Sequence, residues 1–270
     1  MLIQITNRCH EGCAHCLQDS NPNGGHMTAE TFKKALEFSD FLGIEGFCIS
    51  GGEPTEHPDL EQLLLTFEEE YSNKNIIQKY YEIASNGTWI TDKDKCNMMR
   101  RITNFKHYIG CQIYSNKVWY KDYELVKSHQ KDYRMYPKMM FNEEKIFMQD
   151  LGRAHNNKFA QEEVKKNPYH MQCFNASLIC HQIPNPALIG QYMNVSHKMM
   201  CKPLVAWDGS VHLSECCLCP SVGNINTDSF EKIWSNMQKF VPCMKCHGAK
   251  KAVASDNPRI QQAVKLLGLK

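Results

Sequence analysis

The chain has 270 residues, 42% apolar and 10% aromatic, and its 31 basic and 29 acidic side chains leave a net charge of +2. A chain of this make-up buries a sizeable core, which excludes intrinsic disorder, and its balanced charge gives no case for nucleic acid. It has no apolar run of about eighteen residues to span a bilayer and no secretory signal, so its 14 cysteines point to a reducing, cytoplasmic compartment, where metal ligation explains such a number better than disulfides.

Residues 2–5 read as a strand that runs into Cys9-His10-Glu11-Gly12-Cys13-Ala14-His15-Cys16. This places three thiols at C-x3-C-x2-C spacing, and three is the informative number. A structural zinc site or an ordinary iron–sulfur cluster takes four protein ligands, whereas a four-iron cluster on three cysteinates leaves one iron open. Thr28 predicts the N-cap of a helix reaching about residue 42, with Phe32, Ala35 and Leu36 on its apolar face and Gly43 as its stop. Residues 46–50 form the next predicted strand, which ends in Gly51-Gly52-Glu53-Pro54-Thr55. Leu60, Leu63, Leu64, Phe67 and Tyr71 follow at helical spacing.

Residues 80–84 read as a strand closed by Ser85-Asn86-Gly87, after which Thr91 opens another helix. Residues 107–114 alternate as a strand, 118–128 read as a helix, and 146–148 as a short strand before Gly152-Arg153-Ala154. Strand and helix signals in this alternation predict an α/β fold with a parallel sheet. Residues 155–198 contain Pro168, Pro184 and Pro186 with two isolated cysteines, Cys173 and Cys180, and read as an irregular connection. Residues 260–269 read as a short helix.

The thiol triad taken together with Gly51-Gly52-Glu53 resembles the signature of the radical S-adenosylmethionine (SAM) enzymes. The resemblance implies a partial (βα)6 TIM-like barrel over residues 1–198, with ligands at the carboxyl ends of the strands. It further implies that Cys9, Cys13 and Cys16 hold a [4Fe-4S] cluster whose open iron chelates SAM, and that electron transfer then releases a 5′-deoxyadenosyl radical. Ser50, Gly51, Gly52 and Glu53 would hold the SAM amino group, since two glycines let backbone approach closely and a carboxylate accepts from an ammonium. Ser85 and Asn86 match the place where the family contacts the SAM ribose, although Asn86-Gly87 reads equally as a plain turn. Gln112 and Arg153 are either contacts to the SAM carboxylate or substrate, or structural groups. His15 packs near adenine or simply covers the cluster, and Cys48, Cys96 and Cys111 read as small core residues.

The C-terminal region carries Cys201, Cys216, Cys217, Cys219, Cys243 and Cys246, interleaved with Asp208-Gly209-Ser210-Val211, Gly223-Asn224-Ile225 and Ile233-Trp234. In this order the parts resemble the auxiliary-cluster extension called SPASM, or twitch in its shorter form, over residues 199–250, with 251–270 as a terminal helix. The family hairpin places a cysteine five residues after its glycine, where this chain has Ser214. Cys216, Cys217 and Cys219 therefore stay alternatives for the ligand that joins Cys201, Cys243 and Cys246. A second [4Fe-4S] cluster is expected there, with a four-cysteine zinc site as the alternative.

The expected activity is oxidative modification of a peptide or protein residue, with electrons from an external donor of the flavodoxin or ferredoxin type. The alternative is a dehydrogenase or epimerase of a small sugar- or nucleotide-like molecule, a reading favoured by the lack of a leader-binding segment before the first strand. A third reading, a non-catalytic metal-binding partner protein, is opposed by the intact triad and Gly51-Gly52-Glu53.

Overall fold

In the computed structural model the described residues are 1–72, 79–115, 117, 120–142, 153, 156–158, 162, 180–191, 203–213, 220–242, 253–266 and 268–269. Strands β1 (Leu2–Thr6), β2 (Gly46–Gly51), β3 (Tyr80–Ser85), β4 (Tyr108–Tyr114) and β5 (Met139–Asn142) pair in parallel. On the other side of β1, β6 (Leu204–Val205) pairs in parallel, and β7 (Ser210–His212) and β8 (Gly223–Asn224) add antiparallel. One eight-stranded sheet results, in the order β5-β4-β3-β2-β1-β6-β7-β8. Among the described residues it is open rather than closed on itself. The hairpin of the C-terminal region thus continues the main sheet through β6.

Helices α1 (Ala29–Phe41), α2 (Leu60–Ser72), α3 (Lys93–Ile102) and α4 (Tyr123–Ser128) connect the parallel strands, and α5 (Phe230–Lys239) and α6 (Pro258–Leu266) follow β8. Their start and stop signals are local. The Thr28 hydroxyl accepts from Thr31 N at 3.1 Å, capping α1. Gly43 ends it at φ +62°, with Ile44 N donating to Ser39 O at 2.9 Å, a conformation that a side chain disfavours. No helix among the described residues is long and apolar enough to cross a membrane.

Alternation along the strands divides the sheet into two faces. Ile3, Ile5, Ile49, Ile83 and Ile113 are fully buried on one face, in a core shared with Phe32, Leu36, Leu63, Phe67, Met99 and Ile102 of the helices. On the other face Gln4 stands opposite Ser50, and Gln112 lies between Ala84 and Met140. Lower on that face, Leu2, Leu204 and Ala206 make a small apolar cluster with Cys48 against it. The carboxyl ends of the parallel strands therefore open onto a polar face, and the loops that leave them carry the candidate site.

Several element limits differ from expectation for identifiable reasons. Thr91 ends a 3-10 turn over Thr88–Thr91, and Asp92 caps α3 by accepting from Asp94 N and Lys95 N at 2.9 and 3.1 Å. Of the helix expected at 118–128, the described part begins at Tyr123, because Lys121 N and Asp122 N donate instead to the Glu11 carboxylate. The strand expected from 107 begins at Tyr108, and the terminal helix expected at 260–269 runs Pro258–Leu266. Strand β5 was not expected, since Met139-Met140-Phe141 shows no polar alternation. The strand expected at 146–148 lies outside the described residues.

Candidate active site

The three thiols sit on the loop between β1 and α1. This loop is laced to its own return: Asn7 N donates to Gly25 O at 2.9 Å, Cys9 N to Asn21 O at 3.0 Å and Met27 N to Ile5 O at 2.7 Å. Cys9 is buried, and Cys13 and Cys16 are half-buried. Burial pushes the Cys9 thiol up to about 12 and raises Cys13 as well, with neighbouring thiols and carboxylates adding to the effect. A bare thiolate is disfavoured there, and a bound cation reverses that balance. Two sulfurs already face hydrogen-bond donors, as cluster ligands do: Ser20 N lies 3.3 Å from Cys16 Sγ and Asn86 Nδ2 lies 3.9 Å from Cys9 Sγ. The donor set fits an iron–sulfur cluster.

Gly51 and Gly52 leave the end of β2 directly against this loop. Gly52 N donates to Thr6 O at 2.7 Å and Glu53 N to Arg8 O at 2.9 Å. A Cβ on Gly52 would stand 2.1 Å from Arg8 O and 2.8 Å from Cys9 Cβ, and one on Gly51 would stand 2.5 Å from Thr6 O. The sequence sets the two glycines against a ligand; in the structure they also stand close against the cysteine loop.

Glu53 is fully buried. Its Oε1 accepts from Thr55 N at 3.1 Å, Thr55 Oγ1 at 2.7 Å and Ser85 Oγ at 2.9 Å, and its Oε2 accepts from Asn86 N at 2.7 Å. Burial raises its carboxyl above the usual range despite these bonds. The carboxylate thus ties the turn after β2 to the turn after β3, and Ser85 and Asn86 are both its partners. Ser50 is half-buried beside Gln4 on the polar face.

Gln112 projects on the same face, where its Oε1 accepts from Asn142 Nδ2 at 2.6 Å. Arg153 lies against the cysteine loop: its backbone N donates to Cys16 O at 2.9 Å, Nη1 to Cys13 O at 2.8 Å, Nε to Asp19 at 3.0 Å and Nη2 to Ser20 O. His15 is buried with its ring 5.1 Å from that of Tyr120, and burial lowers it to about 4, so it is neutral. Cys111 is buried as expected of a core residue, while Cys48 and Cys96 are half-buried. Cys201, Cys216, Cys217, Cys219, Cys243 and Cys246 lie outside the described residues.

Sequence reasoning missed the supporting shell. His10 bridges the Glu56 and Asp122 carboxylates, meeting Asp122 at 3.3 Å, and its hydrogen bond to Glu56 holds the ring above its usual value. Thr55 and Thr88 each lie two residues after the polar side chain they donate to, a local pattern that was legible in Glu53-Pro54-Thr55 and Asn86-Gly87-Thr88. The His10–Asp122 contact spans 112 positions, and no local signal marks it.

Residues 3–135 match the family model of the Radical SAM superfamily. PqqA peptide cyclase of Ruegeria pomeroyi is 35% identical over 68 residues, 23% of this chain and 17% of that protein. The S-adenosylmethionine-dependent nucleotide dehydratase of a Thermoplasmatales archaeon is 31% identical over 111 residues, 41% of this chain and 36% of that protein. Each alignment therefore spans well under two thirds of the curated relative. Native anSMEcpe with bound AdoMet and Cp18Cys peptide aligns with 99% of this chain and 95% of its own length, at TM-score 0.53 and 14% identity, a likeness of fold.

Proposed function

Residues 3–135 belong to the radical SAM superfamily, and from that premise we propose that this enzyme oxidatively modifies a residue of a peptide or protein. Cys9, Cys13 and Cys16 would hold the [4Fe-4S] cluster, with Ser50, Gly51 and Gly52 at the SAM amino end. When bound, cluster and SAM supply the electron transfer and the radical that takes hydrogen from a C–H bond. The chain's own residues do the positioning. The Glu53 carboxylate joins the turns after β2 and β3 while its backbone N–H holds them to Arg8 O of the cysteine loop, and Arg153 fixes the carbonyls of Cys13 and Ser20. His15 and Tyr120 pack together beside the triad and exclude water.

The observation that carries the reading is the carboxylate of Glu53 joining both turns next to the Cys9 sulfur. The peptide substrate is supported by the names of two similar proteins, PqqA peptide cyclase and anSMEcpe with a bound peptide. The uncharged amides of Gln112 and Asn142 on the polar face also suit peptide groups. We extend the proposal to a second [4Fe-4S] cluster on Cys201, Cys243 and Cys246 with Cys216 or Cys219, to an electron donor of the flavodoxin or ferredoxin type, and to a cytoplasmic setting.

A small nucleotide-like substrate is the second reading, favoured by the similarity to the nucleotide dehydratase over the longer stretch of 111 residues. Reduced enzyme incubated with SAM and either precursor-type peptides or nucleotides separates the two. A peptide that loses hydrogen in step with 5′-deoxyadenosine formation supports the first reading. Turnover of a nucleotide with every peptide left unchanged favours the second.

A further inference from the structure

We propose that Asn86 is a positioning residue that donates a hydrogen bond from Nδ2 to the Cys9 ligand sulfur and so raises the cluster's reduction potential. The inference rests on the radical SAM reading of the triad, but it concerns a side chain that the resemblance would assign to the SAM ribose.

The orientation of the Asn86 amide is fixed by its partners. Oδ1 accepts from Thr88 N at 3.0 Å and from Thr88 Oγ1 at 2.8 Å. The backbone N–H of Thr88 can only donate, so it identifies that atom as the oxygen and leaves the nitrogen pointing the other way. That nitrogen lies 3.9 Å from Cys9 Sγ, within reach of an N–H···S contact, and the side chain is buried. The amide oxygen already takes two donors from Thr88.

The turn that carries Asn86 is held on every side. Its backbone N–H is bound by Glu53 Oε2 at 2.7 Å, and Gly87 follows at φ +85°. Tyr133 Oη donates to Gly87 O at 2.6 Å, and the Tyr133 ring packs edge-on to Trp89 at 5.5 Å. A Cβ on Gly87 would meet Ile113 and Tyr133 at 2.7 Å, so the turn has no room to drift. The donor therefore points at the sulfur before any cluster is loaded. A hydrogen bond to a ligating thiolate stabilises the more negative, reduced state and raises the potential.

The test is a redox titration of anaerobically reconstituted full-length protein without SAM, comparing wild type with Asn86→Leu. The titration follows the cluster whose EPR signal changes when SAM is later added, and SAM affinity is measured separately. The expected result is a midpoint more negative than wild type with SAM affinity unchanged. An unchanged midpoint overturns the proposal, and an unchanged midpoint with weakened SAM binding assigns Asn86 to the ribose instead. If Asn86→Leu does not retain iron, Asn86→Ser decides: its hydroxyl keeps the bond to Thr88 N but falls short of Cys9. The same lowered midpoint is then expected, and a wild-type midpoint overturns the proposal. Wild-type protein that binds no iron at the triad overturns the radical SAM reading as well.

Discussion

The Glu53 carboxylate accepts the backbone N–H of Asn86 at 2.7 Å across 33 positions of chain. That bond joins the turn after β2 to the turn after β3, and the Asn86 side chain continues it to the Cys9 sulfur. Glu53 itself sits inside protein with four protein donors around it. Its first consequence is therefore structural, and it is felt at the cluster loop.

Glu53→Gln places an amide NH2 where donors already converge, leaving at least one buried donor without an acceptor. That costs about 1–3 kcal/mol. Thermal unfolding of the metal-free protein should show a lower Tm, and an unchanged Tm would mean that the carboxylate is not the tie described.

Gly52→Ala forces backbone movement, because the new methyl would stand 2.1 Å from Arg8 O. A carbonyl held in a loop does not yield as a flexible side chain would. The expected outcome is native far-UV circular dichroism with poor iron retention after reconstitution. Full iron occupancy would show that the loop relaxes freely.

Arg153→Gln removes the guanidinium bonds to Cys13 O, Ser20 O and Asp19 while leaving the backbone bond to Cys16 O. The cluster should bleach several-fold faster in the presence of an iron chelator, with Arg153→Lys in between. A rate equal to wild type would place the arginine outside the support of the loop.

How much of this was legible beforehand depended on the range of the interaction. The Cys9, Cys13 and Cys16 triad, the Thr28 cap and the Gly43 stop are local signals and could be read directly. Gly51-Gly52-Glu53 was legible as a motif, but its packing was not. The protein atoms that crowd the glycines belong to Thr6, Arg8 and Cys9, far away in sequence. From the sequence Arg153 reads as a contact to SAM or substrate, or as a structural group; its bonds to Cys13 and Ser20 span 140 and 133 positions. Strand β5 escaped because Met140 faces the polar side of the sheet, so no alternation marks it.

His57 gives a pH dependence of known sign. Its Nε2 donates to Met27 O at 2.9 Å and its Nδ1 accepts from Asp59 N at 3.0 Å, an arrangement open only to the neutral ring. Burial lowers its pKa below the usual value. The unfolded ring takes up a proton near pH ~6.5, before the folded one does, so this stabilisation is complete above that pH and is lost below it. The Tm advantage of wild type over His57→Gln should shrink between about pH 7.5 and about pH 5.5. An advantage independent of pH would contradict the assignment.

The central claim is that Cys9, Cys13 and Cys16 support reductive cleavage of SAM. The most direct measurement is 5′-deoxyadenosine released when anaerobically reconstituted, dithionite-reduced protein is mixed with SAM, run beside Cys13→Ala and Cys243→Ala. The account predicts release by wild type, none by Cys13→Ala, and release by Cys243→Ala without modified product. Wild-type protein that carries its cluster and releases no 5′-deoxyadenosine would contradict it.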